Sequence, residues 1–311
     1  MRYYSAPAAD LNLQAVNDVI DEAFAEHARG SIQMPPKVYI DFPTGDFRTM
    51  PAYIPSLEIA GVKIVNVHPD NRDHDLPTVM ALTILLDVAT GYPTAILNAT
   101  LLTDLRTAAA GAVAAKYLAP KRSVTLGLIG SGRQAQAQVR ATALECEIEQ
   151  IKVWSRDRNN AEKLCKIFPE FDCKPSSAEQ ACDCDLLVTT TPSRVPVVQD
   201  DWILAGTHIN AIGADAAGKQ ELDPALLSRA TVIVDEPKQA IHSGEINVPI
   251  REGLFSPENI AGILGEYVLG RKKRTSQDEI TIFDSTGLAI QDLAIAKIAI
   301  KNQNRTELPF P

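Results

Sequence analysis

The feature that most constrains the fold is a glycine turn near the middle of the chain. Val124-Thr-Leu-Gly-Leu-Ile is a continuous apolar run, Gly130-Ser131-Gly132-Arg133-Gln134-Ala135 follows at once, and residues 134–144 read as a helix. A buried strand, a G-x-G-x-x-A turn and a helix, in that order, open a dinucleotide-binding βαβ unit. Gly130 permits the tight turn, Gly132 lets the backbone approach a pyrophosphate, and Ala135 is small enough for the helix to lie close on the strand. The helix N-terminus adds free N–H groups and a positive dipole end. Gly130, Ser131, Gly132, Arg133 and Gln134 are therefore the expected phosphate-side contacts of NAD(P).

The chain reads differently on either side of position 119. Beyond it, short β-branched runs at 151–154, 186–190, 208–212 and 232–235 alternate with helical segments such as 161–168. That alternation predicts a parallel sheet. Before it, a helix over 11–28 closed by Gly30 precedes strands at 37–41, 62–67, 78–87 and 94–97, then an Ala-rich helix at 103–117. A final helix at 288–300 carries apolar residues suited to packing back on the first part. The expected fold class is α/β, a Rossmann-type doubly wound sheet inserted into a discontinuous α+β domain. The expected boundaries are 1–118 plus 285–311 for substrate binding and dimerisation, and 119–284 for the dinucleotide.

Composition excludes several functions. Thirty basic against 39 acidic residues give a net charge of −9, which works against binding a phosphate backbone. The one basic run, Arg271-Lys272-Lys273-Arg274, reads as a solvated segment. The longest apolar stretch, 79–86, is far short of the ~20 residues of a membrane helix. The opening residues show no basic and apolar leader pattern, so the expectation is a cytoplasmic protein with neither nucleic-acid nor membrane partners. Five cysteines, an odd count, read as free structural thiols, and no spacing suits a metal. His68 and His208 read as packed or hydrogen-bonded.

The residue that reads the adenine ribose follows the strand at 151–154. NAD-preferring enzymes place an acid there for the 2′-hydroxyl. This chain has Ser155 and Arg156 instead, a hydroxyl and a guanidinium that suit a 2′-phosphate. One charge-assisted hydrogen bond contributes about 1.5–3 kcal/mol, roughly tenfold to a hundredfold in affinity. NADP(H) is therefore expected over NAD(H); the alternative is that Asp157 does the acid's work.

Longer blocks carry a resemblance. PPKVYIDFPTGDFRTMPAY, GVKIVNVHPDN, LPTVMALTILLDVATGYP, LLTDLRTAAAGAVAAKYLA, GLIGSGRQAQ, VTTTPSRVPVV, GTHINAIGADAAGKQELD and ITIFDSTGLAIQDLA together resemble the ornithine cyclodeaminase/μ-crystallin family, most of all its archaeal-type alanine dehydrogenase branch. The resemblance implies a homodimer acting on a small amino, imino or oxo acid. It implies that Lys63 is the active-site lysine and Asp215 the acid beside the nicotinamide, and that Lys37 and Arg106 meet the substrate carboxylate, Arg106 also touching the cofactor. Thr78, Thr191, Ile209, Asn210, Ala211, Ile212, Lys219 and Thr286 fall at further cofactor positions.

The residue types fit those roles. Lys37, Arg48, Lys63 and Arg106 lie in apolar or small-residue segments, where a charge is costly to bury unless paired. Several cations in one domain make a site for a small carboxylate. Crowding among cations is expected to depress the pKa of Lys63. Three reaction classes share the framework: an amino acid dehydrogenase or imine reductase, an ornithine cyclodeaminase, and a μ-crystallin-like ketimine reductase or binding protein. Arg48 discriminates, because the family's cyclodeaminases have an acid shortly before Met50-Pro51. A cation there repels the distal ammonium of ornithine. Asp215 argues against a pure binding protein. The expected activity is thus NAD(P)H-dependent reduction to an L-amino acid, alanine first, with aspartate and cyclic imino acids open.

Overall fold

The computed structural model describes residues 1–301 and 305–310, with Arg72 described by its backbone alone. The chain forms two compact units, Met1–Arg106 with Leu288–Pro311, and Thr107–Gly287. The expected boundaries lay at 118/119 and 284/285; the first division instead falls inside a helix.

The first unit holds strands β1 (Arg2–Tyr4), β2 (Val38–Phe42), β3 (Gly45–Ile54), β4 (Ile59–Val67), β5 (Val79–Leu86) and β6 (Pro93–Asn98). With a C-terminal strand, Thr306–Glu307, they form one sheet in the order C-terminal strand–β1–β6–β5–β4–β3–β2. All pairs are antiparallel except β1 with β6. Burial alternates along β3 and β4 with period two, as in a sheet covered on one face. The cover is the C-terminal helix (Ala289–Ala299), which packs on β3, β4 and β5, with α1 (Leu13–Arg29) packed against that helix. That helix is buried nearly all round, so its few polar residues stand out.

The sequence pattern misses β3, because Pro51 sits inside it. Pro51 shares the parity of Tyr53, whose N–H donates to Gln33 on the β2 side. The β2 pairing runs only from Val38–Thr49 to Phe42–Gly45, so the proline nitrogen faces a stretch where β2 has ended. No ladder bond is lost there.

A second helix, α2 (Thr100–Leu118), crosses from the first unit into the second. The second unit has eight parallel strands: β7 (Ser123–Ile129), β8 (Glu147–Trp154), β9 (Asp172–Pro175), β10 (Leu186–Thr189), β11 (His208–Ala211), β12 (Thr231–Val234), β13 (Ile260–Ile263) and β14 (Thr281–Asp284). Their order is β13-β12-β14-β11-β10-β7-β8-β9. This is the expected Rossmann-type doubly wound sheet. The order reverses between β7 and β10, so the carboxyl ends of those two strands flank the ligand crevice typical of such sheets. Helix α3 (Arg133–Thr142) follows β7, and α4 (Arg158–Ile167) follows β8.

The cysteine expectation needs correction. Cys146, Cys182 and Cys184 are free, but Cys165 and Cys173 form a disulfide. The chain reverses between the end of α4 and β9, bringing their Cα atoms to 5.1 Å, well within disulfide reach. No described helix is long and apolar enough to cross a membrane.

Candidate active site

Alternation along β4 turns Gly61, Lys63 and Val65 toward the covering helices. Lys63 lies opposite Met50 on β3 and Thr83 on β5, and is only 1% exposed. A buried ammonium requires a partner. Asp292 of the C-terminal helix supplies it, its Oδ1 accepting from Lys63 Nζ at 2.7 Å. The same oxygen accepts from Arg106 Nε at 2.9 Å, and Gln291 Oε1 accepts from the Arg106 guanidinium at 3.3 Å.

Burial first, and then the nearby charges of Arg106 and Lys37, bring the Lys63 pKa down to about 7, against the opposing pull of Asp292. The depression expected from neighbouring cations is there, with burial as the larger cause. A lysine that titrates near neutrality can hold or release a proton at working pH. Lys37 is half-buried just ahead of β2. Arg48 lies on the Lys63 face of β3, and Asp46 occupies one edge of its guanidinium through contacts of 2.6 and 2.9 Å. Its guanidinium carbon stands 5.3 Å from the Tyr39 ring centroid. Thr78 stands just ahead of β5, where its carbonyl accepts from the His68 N–H. Lys37, Lys63 and Arg106 thus come together in the first unit.

The second unit carries the glycine turn. Gly130 has φ 113°, and a Cβ there would meet Thr190 Oγ1 at 2.5 Å, so only glycine fits. Gly132 opens α3 without a side-chain cap, and the space where its Cβ would stand is empty. Arg133 is exposed at the first position of α3. Gln134 Nε2 is buried with no hydrogen-bond acceptor among the described residues. Ala135 is fully buried against the strands. Free helix N–H groups, an open glycine and an amide lacking an acceptor together fit a pyrophosphate. At the end of β8, Ser155 Oγ lies 3.0 Å from Ser131 Oγ. Arg156 is exposed, while the Asp157 carboxylate caps α4 by accepting from the Asn159 N–H.

Beyond β11, Asp215 forms an ion pair with Lys219 and is 37% exposed at its side chain. The rest of that block points inward. Ile209 and Ala211 belong to the core, and Ile212 is buried beside it. The Asn210 amide donates to the Gly111 carbonyl at 2.9 Å, and its oxygen meets His208 Nε2 at 3.0 Å. Burial drives the His208 pKa down to about 3, so this histidine is a neutral core residue, as expected. The Thr191 N–H is taken by Glu221, and the Thr286 hydroxyl donates to Asp235 at 2.9 Å.

Two functional candidates, Asp292 and Gln291, escaped sequence reasoning, as did the structural acid Glu221. The signal for the first was present, since Asp292 is a lone acid among Ala, Ile and Leu in a helix that buries every side. Glu221 gave none, because it looks like any loop acid. Its carboxylate accepts from Thr189, Thr191 and Gly213, tying the ends of β10 and β11 together.

Comparison with known proteins shows the family and the fold. Residues 3–307 match the ornithine cyclodeaminase/mu-crystallin family. The alanine dehydrogenase of Archaeoglobus fulgidus is 48% identical over 94% of this chain and 91% of its own. An archaeal alanine dehydrogenase dimer with bound NAD superimposes with a TM-score of 0.95 at 44% identity, covering 99% of both chains. The Δ1-pyrroline-2-carboxylate reductase of Thermococcus litoralis, solved with NADH and L-proline, gives 0.91 at 34% identity over 96% of both.

Proposed function

This chain belongs to the ornithine cyclodeaminase/mu-crystallin family, and on that premise we propose that it is an NAD(P)H-dependent amino acid dehydrogenase or imine reductase, most like alanine dehydrogenase. It reduces an imino acid, taken up as such or formed from an oxo acid and ammonia, to the L-amino acid. The observation that carries this reading is the buried Lys63, held by Asp292 beside Arg106 and titrating near neutrality, in a chain with an intact dinucleotide turn.

Gly130, Ser131, Gly132, Arg133 and Gln134 hold the dinucleotide phosphates, with Thr78, Thr191, Lys219 and Thr286 as further contacts. Bound there, the cofactor supplies a hydride. Lys37, Arg106 and Arg48 orient the substrate carboxylate. As the new C–H bond forms, the C=N π pair moves onto nitrogen, and the protonated Lys63 stabilises the substrate in its polarised form. Asp215 exchanges a proton with the nitrogen and balances the ammonium that results.

Ser155 and Arg156 favour NADP(H) over NAD(H). Two observations support this: Arg156 is exposed, and Asp157 already caps α4. The NAD and NADH of the two solved relatives belong to those proteins. A homodimer is likewise inferred from the archaeal relative. Arg48 disfavours cyclodeamination of ornithine. A mass-spectrometric assay of ornithine with NAD is expected to show no appreciable proline; rapid proline and ammonia release would replace this reading with the cyclodeaminase.

A further inference from the structure

Asp292 is the one charged member of the buried cluster to which neither sequence motif nor resemblance gives a role. It lies on the C-terminal helix, 229 residues from Lys63 in sequence, and is 3% exposed. Its contacts differ from those of the buried Asp235, Glu221 and Glu245. Oδ1 accepts from both Lys63 Nζ, at 2.7 Å, and Arg106 Nε, at 2.9 Å, while Oδ2 is buried with no donor among the described residues. Asp235, Glu221 and Glu245 each accept from backbone N–H groups. Asp292 leaves an oxygen bare and spends its charge on two cations that face the substrate in the proposed reaction.

We infer that Asp292 is a positioning residue of that reaction: through one oxygen it fixes the Lys63 ammonium beside the Arg106 guanidinium, and its charge keeps Lys63 able to carry a proton. This rests on the imine-reductase reading given above. The charged groups facing Lys63 are Asp292 from the C-terminal helix, Arg106 from α2 and Lys37 from ahead of β2. Asp292 is the only anion among them, so its removal leaves Lys63 with burial and two cations. Each of these favours the neutral amine.

The test is the pH profile of kcat/KM for reduction of a preformed cyclic imino acid by the wild type, Asp292→Asn and Asp292→Glu. Asparagine keeps the volume and an acceptor oxygen but removes the charge. In the wild type, activity falls as pH rises through about 7, where Lys63 loses its proton. In Asp292→Asn that limb moves about 1–3 units lower, the displacement expected when an adjacent opposite charge is lost. The loss of activity is therefore larger at pH 8 than at pH 5. Asp292→Glu retains the charge and keeps the limb within about half a unit of wild type, even with lower kcat, and decides the matter if the asparagine variant does not fold. A uniform loss across pH in Asp292→Asn, or a limb in Asp292→Glu displaced by more than one unit, overturns the inference. A wild type that reduces no imino acid overturns the proposed function instead.

Discussion

The first unit buries the Asp292 carboxylate against two cations, whereas the second buries Asp235, Glu221 and Glu245 against N–H and hydroxyl groups. Asp235 accepts from the backbone of Glu236, Thr286 and Gly287 and from the Thr286 hydroxyl. Glu245 accepts from the backbone of Glu221 and Leu222. These are straps, which neutralise strand ends and loops and hold the Rossmann sheet's carboxyl edge in one conformation. Asp292 binds no such edge. The contrast separates scaffolding carboxylates from one whose charge acts on a functional lysine.

The largest effect outside the lysine cluster is expected at Asp215. Asp215→Asn should lower turnover by about 100-fold or more at saturating substrate, while cofactor titration stays unchanged. Near-normal turnover would remove Asp215 from the chemistry and reduce it to the partner of Lys219. The cofactor site comes next. Arg156→Ala should raise the KM for NADPH by about tenfold and barely change that for NADH, as one lost charge-assisted contact implies. Equal losses would mean that Arg156 reads something common to both dinucleotides.

The smallest catalytic effect is expected at a strap. Burial, together with the nearby charge of Glu221, holds the Glu245 carboxyl well above the usual range. The folded state then binds the proton more tightly than the unfolded chain. Stability is present in full below the unfolded value of about 4.3 and declines as pH rises toward the folded one. Glu245→Gln should therefore flatten the fall in Tm between pH 5 and pH 8 and leave kcat within about threefold of wild type. A kcat loss comparable with that of Asp215→Asn would abolish the distinction between the two kinds of carboxylate.

The legible parts of the sequence were those with local causes. The turn at Gly130 was readable because backbone geometry there demands glycine and small residues at fixed offsets. The strands of the parallel sheet were readable where short apolar runs met helices. Strand β3 was not, since its proline is tolerated only because β2 stops short, a fact of pairing rather than of propensity. Lys63 was placed by resemblance, and Asp292 was missed because its importance lies in a contact 229 residues away. The Cys165–Cys173 bond escaped for a similar reason, as it depends on how the chain reverses after α4. The side chains of Ile209, Asn210 and Ala211 fill the core or bond within it, in keeping with the short apolar strand read at 208–212.

In the proposed function this chain reduces imino acids through a buried lysine. The most direct test is cofactor oxidation by the purified protein with pyruvate plus ammonia, oxaloacetate plus ammonia, pyrroline-2-carboxylate and ornithine, each with NADPH and NADH. L-alanine is expected from pyruvate and ammonia, or the corresponding amino acid from another imine precursor, with NADPH favoured and ornithine unchanged. Absence of cofactor oxidation with every oxo and imino acid, alongside steady conversion of ornithine to proline, would contradict the proposed function.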